Sequence, residues 1–122
     1  MSRSTYPNFV DQPGCTMRNF AIDGSAVGAT SGTSGLDGRG KFLCEIKKLS
    51  NVVTIDWLPA FGDTPYVFFQ PAVGQTDTLV EIVSSTASRL VFQTVKASDN
   101  TSVTDADLWV HVDSYNTDAY VS

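Results

Sequence analysis

The chain has few of the residues on which most catalytic and metal sites depend. Its 122 residues include one histidine and two cysteines, and only 17% are charged. One histidine and two distant cysteines lack the ligand spacing of a zinc site. The sequence also has no G-x-S-x-G elbow that would position a serine nucleophile for His111. It therefore predicts a non-enzymatic protein without metal or cofactor.

Long apolar runs are missing as well. No stretch of about 18 apolar residues is present, so we expect no membrane-spanning helix. The first residues lack the apolar core of a signal peptide, so we expect a chain made and kept in a reducing cytosol. Cys15 and Cys44 are then expected to be unpaired thiols, with Cys44 buried. The net charge of −5 disfavours nucleic acids and anionic membranes as partners.

Helical periodicity is absent, and alternation of apolar and polar residues takes its place. No segment keeps apolar residues at i, i+3 and i+4 over about 11 residues. The runs KFLCEIKKL and NVVTIDWL instead alternate with a period of two, and the Ser50–Asn51 pair between them suits a tight turn. Their expected inward-facing residues are Phe42, Cys44 and Ile46 in the first run and Val53, Ile55 and Trp57 in the second. About six such runs predict an all-β fold, an antiparallel β-sandwich or small barrel of about six to eight strands.

Composition divides the chain into four parts. Residues 1–23 are expected to form an N-terminal arm in which residues 18–23 are compatible with one short strand. Residues 1–17 either extend to dock on another surface or fold back onto their own domain. Residues 24–40 are rich in glycine and serine and predict a flexible loop or linker. Residues 41–115 hold the alternating runs and predict the β-sandwich module, and residues 116–122 are a short acidic tail.

Three patterns approach known sites without matching them. Residues 35–41 fit the first seven positions of a phosphate-binding loop, but Phe42 occupies the place of the magnesium-binding hydroxyl. Asp105 and Asp107 do not match the twelve-residue calcium loop and are expected in a solvated turn. Alternation puts His111 on the face opposite Leu108, Val110 and Val112, as expected for a histidine at a surface or interface.

Several short motifs resemble a module of bacteriophage virion proteins, especially head-decoration and tail-fibre proteins. The motifs are Gly40-Lys-Phe42, Trp57-Leu-Pro-Ala-Phe61 followed by Asp63-Thr-Pro-Tyr66-Val67, Arg89-Leu-Val-Phe92, and Asp105-Ala-Asp107 before Leu108-Trp-Val-His-Val112. The resemblance covers residues 40–112. It implies a small β-sandwich, usually a homotrimer, that is built into a virus particle. Such a protein would stabilise the capsid surface or present a binding tip.

The leading functional hypothesis is accordingly a capsid decoration or cement subunit located in the virion. Its expected partners are further copies of itself and the major capsid protein or another virion protein. The expected partner-binding residues are Tyr6, Phe9 and Val10 in the arm and Trp57, Phe61, Tyr66 and Trp109 in the module, with the four aromatics of the module assigned either to subunit contacts or to the core. The alternative is a tail-fibre or appendage module in which Trp57, Tyr66, Trp109 and Tyr115 stack on host carbohydrate.

Overall fold

A computed structural model describes residues 11–12 and 15–114 of the chain. This part contains eight strands, the first of only two residues. The strands are β1 (Asp11–Gln12), β2 (Cys15–Ile22), β3 (Cys44–Leu49), β4 (Val52–Trp57), β5 (Tyr66–Pro71), β6 (Thr78–Ser85), β7 (Arg89–Lys96) and β8 (Leu108–Ser114). A single 3-10 turn at Gly40–Phe42 is the only helical element in the described residues.

The strands form two antiparallel sheets. The first sheet has the order β1-β2-β8-β5 and the second has the order β3-β4-β7-β6. Among the described residues the two sheets do not join into a barrel, and their inner faces share one hydrophobic core. The prediction of an all-β antiparallel sandwich is confirmed, and the barrel alternative is wrong because the sheets do not close on each other.

Period-two alternation accounts for the core of both sheets. Val53, Ile55 and Trp57 are buried on β4, while Thr54 and Asp56 between them are only partly buried. The tight turn predicted at Ser50–Asn51 joins β3 to β4, and Ser50 has a positive φ of 58° there. On β8 the predicted inward residues Leu108, Val110 and Val112 are buried, and His111 lies on the opposite face. Alternation therefore assigned these side chains correctly.

The N-terminal strand is longer than predicted and belongs to the sandwich. In place of one short strand over residues 18–23, β2 runs from Cys15 to Ile22 and pairs with β8 along its length from Thr16. Phe20 and Ile22 face the core. The predicted arm over residues 1–23 therefore includes a strand of the first sheet, because its alternating apolar residues find a partner about 90 residues later.

The predicted flexible linker over residues 24–40 is instead packed against the sandwich. Val27 and Leu36 are buried in the core despite the glycine and serine around them. The backbone of Gly32 exchanges two hydrogen bonds with Ile46 on β3, at 3.2 and 2.7 Å. At the other sheet, the Asp37 N–H donates to the carbonyl of Ala21 on β2 at 3.1 Å. Residues 24–43 thus cover the gap between β2 and β3. We call this covered side of the sandwich the closed flank.

The strand expected to begin at Lys41 begins three residues later. The Gly40 N–H donates to Oδ1 of Asp37 at 2.8 Å, and the Leu43 N–H donates to the Gly40 carbonyl at 3.0 Å, so this segment is held in a turn. Cys44 and Ile46 are buried as predicted, but Phe42 is 84% exposed. The expectation that Phe42 faces inward is therefore wrong, because period-two alternation does not extend into the turn.

The opposite side of the sandwich has no such cover among the described residues. Here the edge strands β5 and β6 lie beside each other, and a groove of about 330 Å³ runs between them. Inward-facing residues of both strands line it, including Val67, Phe69 and Val80. Ile82 pairs with the buried Phe92 and is still 49% exposed. We call this side the open flank.

Candidate functional site

The outer face of the first sheet carries a cluster of exposed aromatic side chains. On β5 the residues alternate, so that Val67 and Phe69 are partly buried while Tyr66 and Phe68 are exposed. The exposed fractions are 62% for Tyr66, 57% for Phe68 and 46% for Trp109 on the neighbouring β8. Exposed aromatic residues gathered on one surface are a common feature of binding sites. We call this surface the aromatic face.

Strand register brings polar groups in among these rings. His111 on β8 lies between Asn19 of β2 and Phe68 of β5, and Trp109 lies beside Gln70 of β5. Phe68 and Trp109 are therefore diagonal neighbours across two strands. Between them is a shallow depression of about 420 Å³ that these five side chains help to line. Such a surface offers flat apolar rings for stacking and side-chain amides for hydrogen bonding.

Contacts within the chain hold the imidazole of His111 in place. Its Nδ1 lies against Oδ1 of Asn19, and its Nε2 is 2.9 Å from Oδ1 of Asp113. The ring of Phe68 is 6.0 Å away, centroid to centroid, at an angle of 39°. Both ring nitrogens of His111 therefore face acceptors of this chain, and the imidazole adds a further fixed ring to the aromatic face.

The outer face of the second sheet is of a different kind. It presents charged and polar side chains that pair across strands. Nε of Arg89 donates to Oδ1 of Asp56 at 2.7 Å, and Nε2 of Gln93 donates to Oε1 of Glu81 at 2.8 Å. Asp56 raises the pKa of the Arg89 guanidinium. A surface of this composition is typical of a solvated sheet, so the aromatic face is the stronger candidate for a binding surface.

The structure separates the four aromatic candidates of the module into two groups. Tyr66 and Trp109 lie on the aromatic face, where a partner would reach them. Trp57 and Phe61 are buried in the core, 2% and 7% exposed, with ring centroids 5.3 Å apart in an edge-to-face arrangement. Of the two roles left open for Trp57 and Phe61, subunit contact or core, the core is the correct one, and the partner-binding role is wrong for both. The cause is local: β4 directs Trp57 inward, and Phe61 packs on it from the turn that follows.

Phe61 has a second contact that fixes it in the core. The guanidinium carbon of Arg18 on β2 lies 3.9 Å from the centre of the Phe61 ring, a cation–π arrangement. Nη1 of Arg18 also donates to the carbonyl of Leu43 at 3.4 Å. The ring thus joins the two sheets.

Some predicted candidates lie outside the described residues. Tyr6, Phe9 and Val10 of the arm and Tyr115 near the C-terminus belong to this group. Their proposed roles in assembly and in sugar stacking stay predictions.

Sequence reasoning missed three residues of the aromatic face, Phe68, Gln70 and Asn19. The signal for two of them was present, because Tyr66, Phe68 and Gln70 recur at a period of two in PYVFFQP and so share a face. Asn19 could not be found in this way, since its place beside His111 depends on the pairing of β2 with β8.

Acidic residues near the closed flank do not form a metal site in the described part of the chain. No three side chains of His, Cys, Asp and Glu in residues 11–12 and 15–114 are arranged to hold a metal ion. Asp23 instead accepts hydrogen bonds from the N–H and hydroxyl of Ser25 at 3.1 and 2.8 Å. The Ser25 hydroxyl is the main cause of the lowered pKa of the Asp23 carboxyl.

No protein-family profile, no curated protein and no solved structure matches the chain significantly. In the residues that the structure describes, no helix has the length and apolar character needed to cross a membrane.

Proposed function

We propose that this chain is a non-enzymatic structural subunit of a bacteriophage virion, a capsid decoration or cement protein that binds the head surface. The observation that carries the proposal is the aromatic face, on which Tyr66, Phe68 and Trp109 are exposed together. Burying such rings against a partner would release about 25 cal/mol for each Å² of apolar surface removed from water. The resemblance of residues 40–112 to phage decoration and fibre modules supplies the setting.

The chemistry of the aromatic face supports a role in binding. The rings stand on β5 and β8, and β8 is also hydrogen-bonded to β2, so little main-chain order has to be gained on binding. Two charged residues adjoin them: Asp113, which pairs with His111, and Arg39, which lines the depression and lies 3.5 Å from Asp37. A large virion protein with an apolar, weakly charged patch would fit this surface. Weak contacts repeated over many copies would then stabilise a shell.

Mass spectrometry of purified virions from the phage that encodes the chain tests this proposal. We expect the protein at high copy number in the head fraction. A Trp109→Ala and Phe68→Ala double variant should lose most of its occupancy on the particle, whereas Leu49→Ala, which removes an exposed apolar side chain at the end of β3, should keep it. Absence of the protein from virions, or equal occupancy of both variants, would overturn the proposal.

The N-terminal arm is proposed as a second anchor, through Tyr6, Phe9 and Val10. A deletion of residues 1–17 would also remove the first three residues of β2, so it would test folding and anchoring together. Deletion of residues 1–10 leaves every described strand complete. We expect that shorter deletion to preserve the fold and reduce occupancy on the particle.

A second candidate function is carbohydrate binding at the aromatic face. It is favoured by the depression of about 420 Å³ in which Phe68 and Trp109 stand beside the amide of Gln70. Pyranose rings stack on flat aromatic side chains and bond to amides. Titration with host oligosaccharides, followed by tryptophan fluorescence, separates the candidates. Trp57 is buried and Trp109 is exposed, so a sugar on this face would change mainly the emission of Trp109.

A further inference from the structure

The open flank exposes residues that the strand pattern directs into the core. Val67 and Phe69 of β5 and Val80 of β6 are only partly buried, although they pack against the core cluster. Ile82 is 49% exposed on the same inner layer, and Leu79 at the rim of the groove is 43% exposed. On the other side of the sandwich the corresponding gap is covered by residues 24–43. The open flank is therefore a core surface that lacks a cover among the described residues.

The charge pattern of the chain indicates what would cover it. None of the side chains that line the groove is charged, whether they come from the stretch of residues 64–76 or from β6, while the whole chain holds 21 charged residues, eight basic and 13 acidic. A basic partner would be attracted to the acidic parts of the surface and would gain no electrostatic attraction from this uncharged stretch. Two copies of the chain, each with a net charge of −5, repel one another over much of their surface. They can meet with little repulsion across a neutral surface of this kind.

The backbone of the two edge strands limits how this meeting takes place. The ladder between β6 and β7 is interrupted by a bulge between Ile82 and Ser84, and β5 ends at Pro71, which has no N–H to donate. Bulges and prolines at an edge hinder the continuous addition of further strands. Side-chain packing into the groove would then carry the contact. A surface that packs against its own copy about a two-fold axis closes on itself and does not grow into a fibre.

We propose that the open flank is a self-association surface, in which the groove between β5 and β6 of one copy packs against the same groove of a second copy. Ile82 and Leu79 form the contact at the rim, and Val67 and Phe69 lie beneath it. Phe68 lines both the groove and the depression on the aromatic face, so the two surfaces meet at this residue, whereas Tyr66 and Trp109 do not line the groove. The test therefore leaves all three aromatic side chains unchanged.

Sedimentation equilibrium of the purified full chain tests this proposal. The wild type should associate reversibly in the micromolar range. Ile82→Glu puts a charge into the contact and should weaken association by about tenfold or more. Leu49→Glu is the matched control, because it places the same charge at a more exposed apolar position away from the flank, and it should associate as the wild type does.

A second variant keeps the test valid if the Ile82→Glu protein does not fold. Leu79→Glu changes another side chain at the rim and should weaken association in the same way. Circular dichroism and thermal melting at low concentration should show all three variants folded. A wild type that stays monomeric at the highest soluble concentration would overturn the proposal. Equal weakening by Ile82→Glu and Leu49→Glu would also overturn it, because the contact would then lie elsewhere.

Discussion

The two flanks of the sandwich differ in what covers the gap between the sheets. On the closed flank, residues 24–43 bring Val27 and Leu36 into the core and bond to the backbones of β2 and β3. On the open flank, β5 and β6 face each other across a groove with exposed apolar rims. The comparison shows that the chain completes its core from its own sequence on one side, whereas on the other side part of the core surface stays exposed in the described residues. Substitutions on the two flanks should therefore have different consequences.

The largest expected difference between the flanks concerns a leucine on each. Leu36→Ala on the closed flank removes a side chain that is 5% exposed, and we expect a loss of about 3 kcal/mol in the free energy of unfolding. Leu79→Ala on the open flank should cost less than about 1 kcal/mol in the monomer, because much of that side chain is already in water. Urea denaturation at low protein concentration measures both. Equal losses would show that the open flank is packed as tightly as the closed one.

Two glycines sharpen the same comparison. A Cβ on Gly24 would lie 2.1 Å from the carbonyl oxygen of Ala106, so Gly24→Ala should cost about 2–3 kcal/mol as the backbone is displaced. Gly74, in the turn after β5, has a φ of +93° and open space around it, so Gly74→Ala should cost only about 1 kcal/mol of conformational strain. Gly38→Ala, with neither constraint, is the control for thermal melting. A tolerated Gly24→Ala would contradict the close packing of this loop on Ala106.

The ionisation of Cys44 shows whether water is excluded from the core beside the closed flank. Burial raises the pKa of its thiol to about 12. Because the unfolded thiol ionises at a lower pH than the folded one, stability is full below the unfolded pKa and is lost as pH rises toward the folded pKa. Between pH 8 and pH 10 the wild type should lose about 1 kcal/mol more than Cys44→Ala. Parallel losses would mean that water reaches the thiol.

The smallest expected effect concerns Asp23, the residue directly before the closed-flank loop. Its hydrogen bonds with Ser25 lower the pKa of Asp23, so this contribution is present above the ordinary carboxyl range and is lost as pH falls. Ser25→Ala should return the pKa of Asp23 toward its ordinary value in an NMR titration. Asp99, whose pKa is lowered by the backbone N–H and hydroxyl of Thr101, is the internal control and should not change. If the pKa of Asp23 did not change in Ser25→Ala, the hydrogen bond from the Ser25 hydroxyl would not be what lowers it.

How far the sequence predicted the fold depended on whether the relevant contact was local. Alternation along a strand requires only neighbouring residues, so Ile55 and Val112 were assigned correctly to the core. The burial of Leu36 depends on how its loop folds back onto the sandwich, where Leu36 forms a bridge with Ile22 of β2, and a glycine-rich stretch gives no sign of such a contact. Composition therefore indicated a linker where the structure has packed chain.

The candidate site divides in the same way. Tyr66 and Trp109 were predicted from residue type and are exposed. Residue type also made Trp57 a candidate, but it is buried, as alternation along β4 had predicted. Residue type cannot distinguish an aromatic ring in the core from one on the surface. The open flank was beyond prediction altogether, because it depends on which strands lie at the edges of two different sheets.

Hydrogen exchange of the full chain, measured at rising protein concentration, tests the central contrast between the flanks most directly. Amides of β5 and β6 should become more protected as copies associate, while those of residues 24–43 should keep the same protection throughout. Protection of β5 and β6 that did not change up to the highest concentration, or an equal change on both flanks, would contradict this contrast.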